Sequence, residues 1–117
     1  MFGKIKMNNL EDLYLDELKD AYDFEHRILE ALPKMEEAGA AQELKQAFRE
    51  HRMETQGHVR RLEQVFHELG QEPERKTCKG VKGLIDEGED YVKAHGDSDT
   101  IDAALISAAQ RVEHYEM

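Results

Sequence analysis

Glu25, Glu54, His58, Glu113 and Glu116 are the side chains whose types and spacing could do chemistry together. Carboxylate oxygens with an imidazole nitrogen form a donor set that suits iron or manganese, where a thiolate-rich set would suit zinc. Glu25, His58, Glu113 and Glu116 fall on stripes that are otherwise apolar. A buried carboxylate is costly, several together repel one another, and a cation relieves both penalties. His58 follows Glu54 by four residues, one helical turn further along, and His51 precedes it by three. Glu113 and Glu116 repeat the three-residue spacing as Glu-x-x-Glu.

Helices must position these groups. Residues 11–38 carry Leu18, Ala21, Tyr22, Ile28, Leu29, Leu32 and Met35 at helical spacing, with Glu25 inside the stripe. Pro33 removes one backbone bond and crowds the preceding turn, so a kink is expected there, but no break. Ala38-Gly39-Ala40 reads as a tight connection with Gly39 as the helix C-cap. A second helix is expected from about Ala41 to Leu69, on the stripe Leu44, Phe48, His51, Thr55, His58, Leu62, Val65 and Leu69. Gly70 ends it and Pro73 follows.

Residues 70–98 are punctuated by Gly80, Gly83, Gly88 and Gly96. Val81, Leu84, Ile85, Tyr91 and Val92 still allow a short amphipathic helix within a connection long enough to cross a bundle. A third long helix is expected from Ser98 or Asp99, either of which could cap it. It carries one row of Ile101, Ala104, Leu105, Ala108 and Val112, and a second of Ile106, Ala109, Glu113 and Glu116.

Helices joined by a tight turn are antiparallel, and residues equidistant from the turn lie at equal height. Glu25 stands 13 residues before Ala38, and Glu54 stands 13 after Ala41. Glu113 stands 14 residues after Asp99, so a crossover that returns the last helix to the turn end puts a third carboxylate at that height. At about 1.5 Å per residue the common level is roughly 20 Å from the turn.

Composition sets the frame. A chain of 117 residues makes one domain with one hydrophobic core. Charged residues are 36%, Trp is absent and prolines number two, a balance that favours helices. The net charge of −10 argues against a nucleic-acid partner, since such proteins show a basic face. Cys78 is the single cysteine, so no internal disulfide can form, which fits a reducing, cytoplasmic setting. Met1 to Leu10 has no long apolar run, so neither an export signal nor a membrane span is expected.

The stretches LKDAYDFEHRILEALPKM, LKQAFREHRMETQGHVRRLEQVF, KTCKGVKGLIDEG and DAALISAAQRVEHYEM resemble, in order and over nearly the whole chain, the YciE/YciF family of ferritin-like, ferroxidase-like stress proteins. The resemblance implies an all-α ferritin-like bundle: a long helix hairpin, a crossover with a short helix, and a third long helix. It also implies a centre of two irons, with Glu25, Glu54, Glu113 and Glu116 at the family's carboxylate positions; relatives commonly carry Gln at position 58, so His58 rests on its spacing. The family continues into a fourth, Glu-rich helix beyond these residues, so the single domain 1–117 reads as truncated within or after its third long helix.

Each residue has a plainer reading beside the chemical one. The carboxylates could be solvated, and His58 and His51 could be satisfied core histidines; His51 reads rather as a partner that orients a ligand. His26 and His114 are expected at the surface, Tyr22 and Tyr115 in packing, and Cys78 as a small buried hydrophobe. Three functions follow: a di-iron oxidase using dioxygen or peroxide, a di-manganese catalase-like protein, or a non-catalytic oligomeric stress or interaction module. A homodimer is expected, because three helices leave an apolar face open.

Overall fold

The computed structural model describes residues 7–116; the stretch Met1 to Leu10 considered above for an export signal lies mostly outside them. Among the described residues the architecture is all-α, with α1 (Leu10–Ala38), α2 (Gln42–Glu68), α3 (Lys79–Val92) and α4 (Ser98–Glu116). No described helix is long and apolar enough to cross a membrane.

Each boundary has a local cause. Asn9 opens α1 by accepting the Asp12 N–H at 2.8 Å, and Glu11 and Asp12 complement the positive end of the helix dipole. α1 then runs through Pro33 without a break. Gly39 is the C-cap residue, as its position suggests, but its backbone is extended (φ −69°, ψ 147°) and not left-handed. Its N–H closes the last turn on Met35 O at 3.0 Å. The left-handed cap is found at Gly70 (φ 69°). There the Gly70 N–H meets His67 O at 3.0 Å and the Gln71 N–H meets Phe66 O at 2.9 Å, which satisfies the last carbonyls of α2. The cap of α4 is Asp97, one residue before the expected Ser98 and two before Asp99: its carboxylate accepts from Thr100 N and Thr100 Oγ1, both at 2.9 Å.

α1 and α2 form a long antiparallel hairpin, tied by Arg49–Glu36 near the turn and by Tyr22–Glu63 further along. The chain after α2 crosses over α1. Lys76 N–H donates to Lys19 O at 3.1 Å, and the Lys76 ammonium reaches Asp16 at 2.8 Å. α3 then runs along α1 back toward the turn, so Lys34 meets Glu89. α4 pairs with α3 and points the same way as α2, as a bundle-crossing connection requires. One apolar cluster joins all four helices around Phe24, Ile28, Leu32, Phe48, Val81 and Leu105; a second, with Leu18, Tyr22, Val59 and Phe66, seals the far half of the hairpin.

Asp23 anchors the crossover. It is 2% exposed and accepts from Cys78 N–H at 2.7 Å, Arg27 Nε at 2.6 Å and Arg75 Nε at 2.9 Å. Burial alone would raise its pKa; the Cys78 N–H and the two guanidinium groups outweigh burial and hold it below the usual value.

Candidate metal centre

Three helices deliver one group each to a common point. α1 supplies Glu25, α2 supplies His58 and α4 supplies Glu116, and one ligand atom from each lies within 4.8 Å of the others. His58 Nδ1 is 3.4 Å from Glu25 Oε2. Glu25 is the buried member, 8% exposed, while Glu116 sits at the open side and His58 is half-buried. Tyr115, next to Glu116, stacks on Phe24, next to Glu25, with ring centroids 5.6 Å apart.

Burial pushes the Glu25 carboxyl up to about 8, helped by a hydrogen bond to Glu116 and by that residue's negative charge. Glu25 therefore keeps a proton at neutral pH, and the two carboxyls can share it. This is the signature of anionic oxygens gathered without full compensation. The donors are two carboxylates and one imidazole, a hard set that fits a divalent iron or manganese ion.

Glu54 and Glu113 take a different place. Both are exposed, and both face His51: Glu54 Oε2 is 3.7 Å from His51 Nδ1, and Glu113 Oε1 is 3.6 Å from His51 Nε2. This neighbouring group sits one helical turn from the first along α4. The structure thus brings Glu25, His58 and Glu116 together, and places Glu54 with Glu113 around His51. Helical rotation accounts for the split. At about 100° per residue, His51 and His58 lie roughly 60–80° from the buried row of Phe48, Thr55, Val59 and Phe66, whereas Glu54 lies roughly 120° away. On α4, Glu116 lies close to the row of Leu105 and Val112, and Glu113 stands aside.

The remaining sequence candidates divide. Tyr22 is buried, and its hydroxyl donates to Glu63 at 2.8 Å, a bond that together with burial raises its pKa to about 12. His26 is half-buried with its ring edge against Tyr22, centroids 4.5 Å apart, where a surface position was expected; His114 is exposed. Cys78 is fully buried, with Sγ 3.5 Å from the Tyr115 hydroxyl. Two buried acids, Asp23 and Asp102, escape the stripe reading altogether, since an Asp beside an apolar row looks like any boundary residue.

Comparison with known proteins agrees with the helical fold. The family model described as Domain of unknown function (DUF892) matches residues 9–117. Protein YciF of Escherichia coli K12 is 37% identical over 114 residues, which span 97% of this chain and 69% of YciF. The crystal structure of that stress protein superposes with a TM-score of 0.87 at 38% identity, covering 94% of this chain and 70% of its own. YcfI of Rhodopseudomonas palustris, proposed to be a structural protein, superposes with a TM-score of 0.91 at 41% identity, covering 98% and 73%. The chain belongs to the DUF892 family, as a relative of YciF with the same helical fold.

Proposed function

We propose that the chain is a ferritin-like carboxylate protein that binds iron, with ferroxidase or dioxygen- or peroxide-reducing activity, acting in the cytoplasm against iron or oxidative stress. The convergence of Glu25, His58 and Glu116 from three helices carries this reading. The stress role is carried over from YciF, which is named a stress protein. Glu25, His58 and Glu116 would hold one ion, and His51, Glu54 and Glu113 supply the neighbouring donors for a second. Iron held by these residues would supply redox chemistry toward dioxygen or peroxide, and manganese suits the same donors.

The chain's own contribution is electrostatic and steric. Glu25 surrenders its proton when a cation arrives, so binding is coupled to proton release. His58 would be a ligand oriented by Glu25, whose Oε2 lies 3.4 Å from its Nδ1. Glu25 lies buried at the inner side of the group, beside the Phe24–Tyr115 stack in sequence, while Glu116 is exposed to the solvent from which ions would arrive.

The test is metal content by mass spectrometry after anaerobic Fe(II) loading and desalting, followed by oxygen consumption. One or two irons per chain, lost in Glu25→Ala and Glu116→Ala, is the expected result. Glu54→Ala should reduce the stoichiometry and abolish turnover. A wild-type chain that retains no iron or manganese overturns the reading.

A non-catalytic interaction module is the second reading, and one observation favours it. A groove of about 200 Å³ opens between α2 and α4, lined by Ala47, Phe48, Ile106 and Ala109, with His51 and Glu113 at one end. Self-association through it would give the homodimer; a single monomeric species at high concentration in sedimentation would count against that.

A further inference from the structure

We propose that Asp102 is a positioning residue that sets the register of α4 on the α1–α2 hairpin, and with it the height at which Glu116 meets Glu25 and His58. The proposal deepens the metal-centre reading and rests on it for its functional readout.

α2 begins without a side-chain cap of its own. Ala41 is its N-cap residue and has no oxygen to offer the free N–H groups of the first turn. Asp102 reaches in from another helix and holds the two amides that lead into α2, those of the N-cap residue and of the residue before it: Oδ1 accepts from Ala40 N at 2.7 Å and Oδ2 from Ala41 N at 2.9 Å. The carboxylate is 8% exposed and faces the positive end of the α2 dipole. Both its oxygens are used on successive amides, so sliding α4 by even a fraction of a turn breaks the pair. This is a geometric lock, beyond what apolar contact gives, because apolar surfaces tolerate small slides and paired short hydrogen bonds do not.

The lock matters because α4 otherwise meets the first hairpin mainly through the apolar row of Leu105 and Val112. It packs mainly on α3, and close approaches to α1 and α2 are few. Its polar ties to the hairpin are Asp102 at the turn end, Glu113 on His51, and Glu116 at the metal centre. Between Asp102 and Glu113 the buried Leu105 is held by apolar packing, and the groove beside Ile106 and Ala109 leaves the α2-facing flank without a polar tie. Glu116 is 14 residues beyond Asp102, so a rigid helix carries any displacement at the clamp straight to the ligand.

The experiment compares the full chain with Asp102→Ala and Asp102→Asn. Asn keeps one acceptor oxygen but sets its NH2 against the second amide, so it should fall between wild type and Ala. Mn(II) affinity is read from the free-ion paramagnetic resonance signal, and α4 placement from proton cross-peaks between the Phe24 and Tyr115 rings. The expected result is Mn(II) binding weakened about tenfold in Asp102→Ala and less in Asp102→Asn. Phe24–Tyr115 cross-peaks should weaken in the same order while circular dichroism shows full helix content. Affinity within twofold of wild type with unchanged cross-peaks overturns the proposal. If Asp102→Ala does not fold, Asp102→Asn decides by the same criteria. If wild type itself binds no Mn(II), the metal reading has failed and the ring cross-peaks alone decide: weakening supports the register lock, and persistence overturns it.

Discussion

Asp23 and Glu25 are two residues apart on one helix and both are buried; burial pushes both pKa values up, yet their net shifts run in opposite directions. Asp23 is met by two guanidinium groups and a backbone N–H, so its charge is kept; Glu25 is met by another carboxyl, so its charge is suppressed. Asp23→Ala should therefore be costly, because it orphans the buried Cys78 N–H and releases Arg75 and with it the crossover. A loss of about 2–3 kcal/mol in urea unfolding is expected, the range for deleting a buried acceptor of charge-assisted bonds. A loss under about 0.5 kcal/mol would show that the crossover is held by packing alone. At this scale the sequence was partly legible. Stripe and height set Glu25 level with Glu54 and Glu113, with Glu116 one turn further on, whereas the structure gathers Glu116 and His58 around Glu25. The outward turn of Glu54 could not, because four residues from Glu54 to His58 still leave about 40° of rotation, enough to separate a half-buried side chain from an exposed one.

The helices themselves were largely written in the sequence. The first long helix, read at 11–38, is α1 (Leu10–Ala38), and the second, read at 41–69, is α2 (Gln42–Glu68), because long periodic stripes and a glycine stop leave little ambiguity. What the sequence hid was the use of glycine and aspartate at the joints. Gly39 and Gly70 both follow a helix, and only Gly70 adopts the left-handed backbone; the Gly39 joint stays extended while Asp102 satisfies the two N–H groups after it. That clamp comes from 61 residues away, beyond any local motif. Gly70→Ala is accordingly expected to cost about 1 kcal/mol, the strain of a Cβ in left-handed backbone, with no crowding to add to it. Thermal unfolding should show it, and an equal loss in Gly39→Ala would contradict the difference in backbone.

For the molecule as a whole, the proton on Glu25 couples stability to pH, and with it the proposed metal binding. Its native pKa of about 8 lies above the ordinary 4.5, so the native state binds more protons than the unfolded chain between those values. The stabilisation is complete below about pH 4.5 and is lost as pH rises through 8, at no more than about 1.4 kcal/mol per unit. The metal-free protein should thus lose denaturant resistance between pH 5.5 and pH 8, on the order of this slope. Glu116→Gln removes the neighbouring charge and should flatten the trend. Cation affinity should run the opposite way and climb toward pH 8 as Glu25 gives up its proton more easily. Affinity independent of pH over that window would show that Glu25 is not a ligand.

The two-hairpin construction has a kinetic consequence. α1 and α2 meet through a short turn, and α3 and α4 do the same, so each pair can form from contacts close in sequence. Glu25 and His58 belong to the first pair and Glu116 to the second, so the donor triad exists only after the pairs have docked. Docking is a late event in such a scheme. A cation that binds only the docked form adds nothing to the barrier crossed on the way in, and deepens the well that must be climbed on the way out. Under the proposed function, metal would then govern how long the native state lasts more than how fast it is reached, and residence time would be the property through which a changing iron supply acts on this fold.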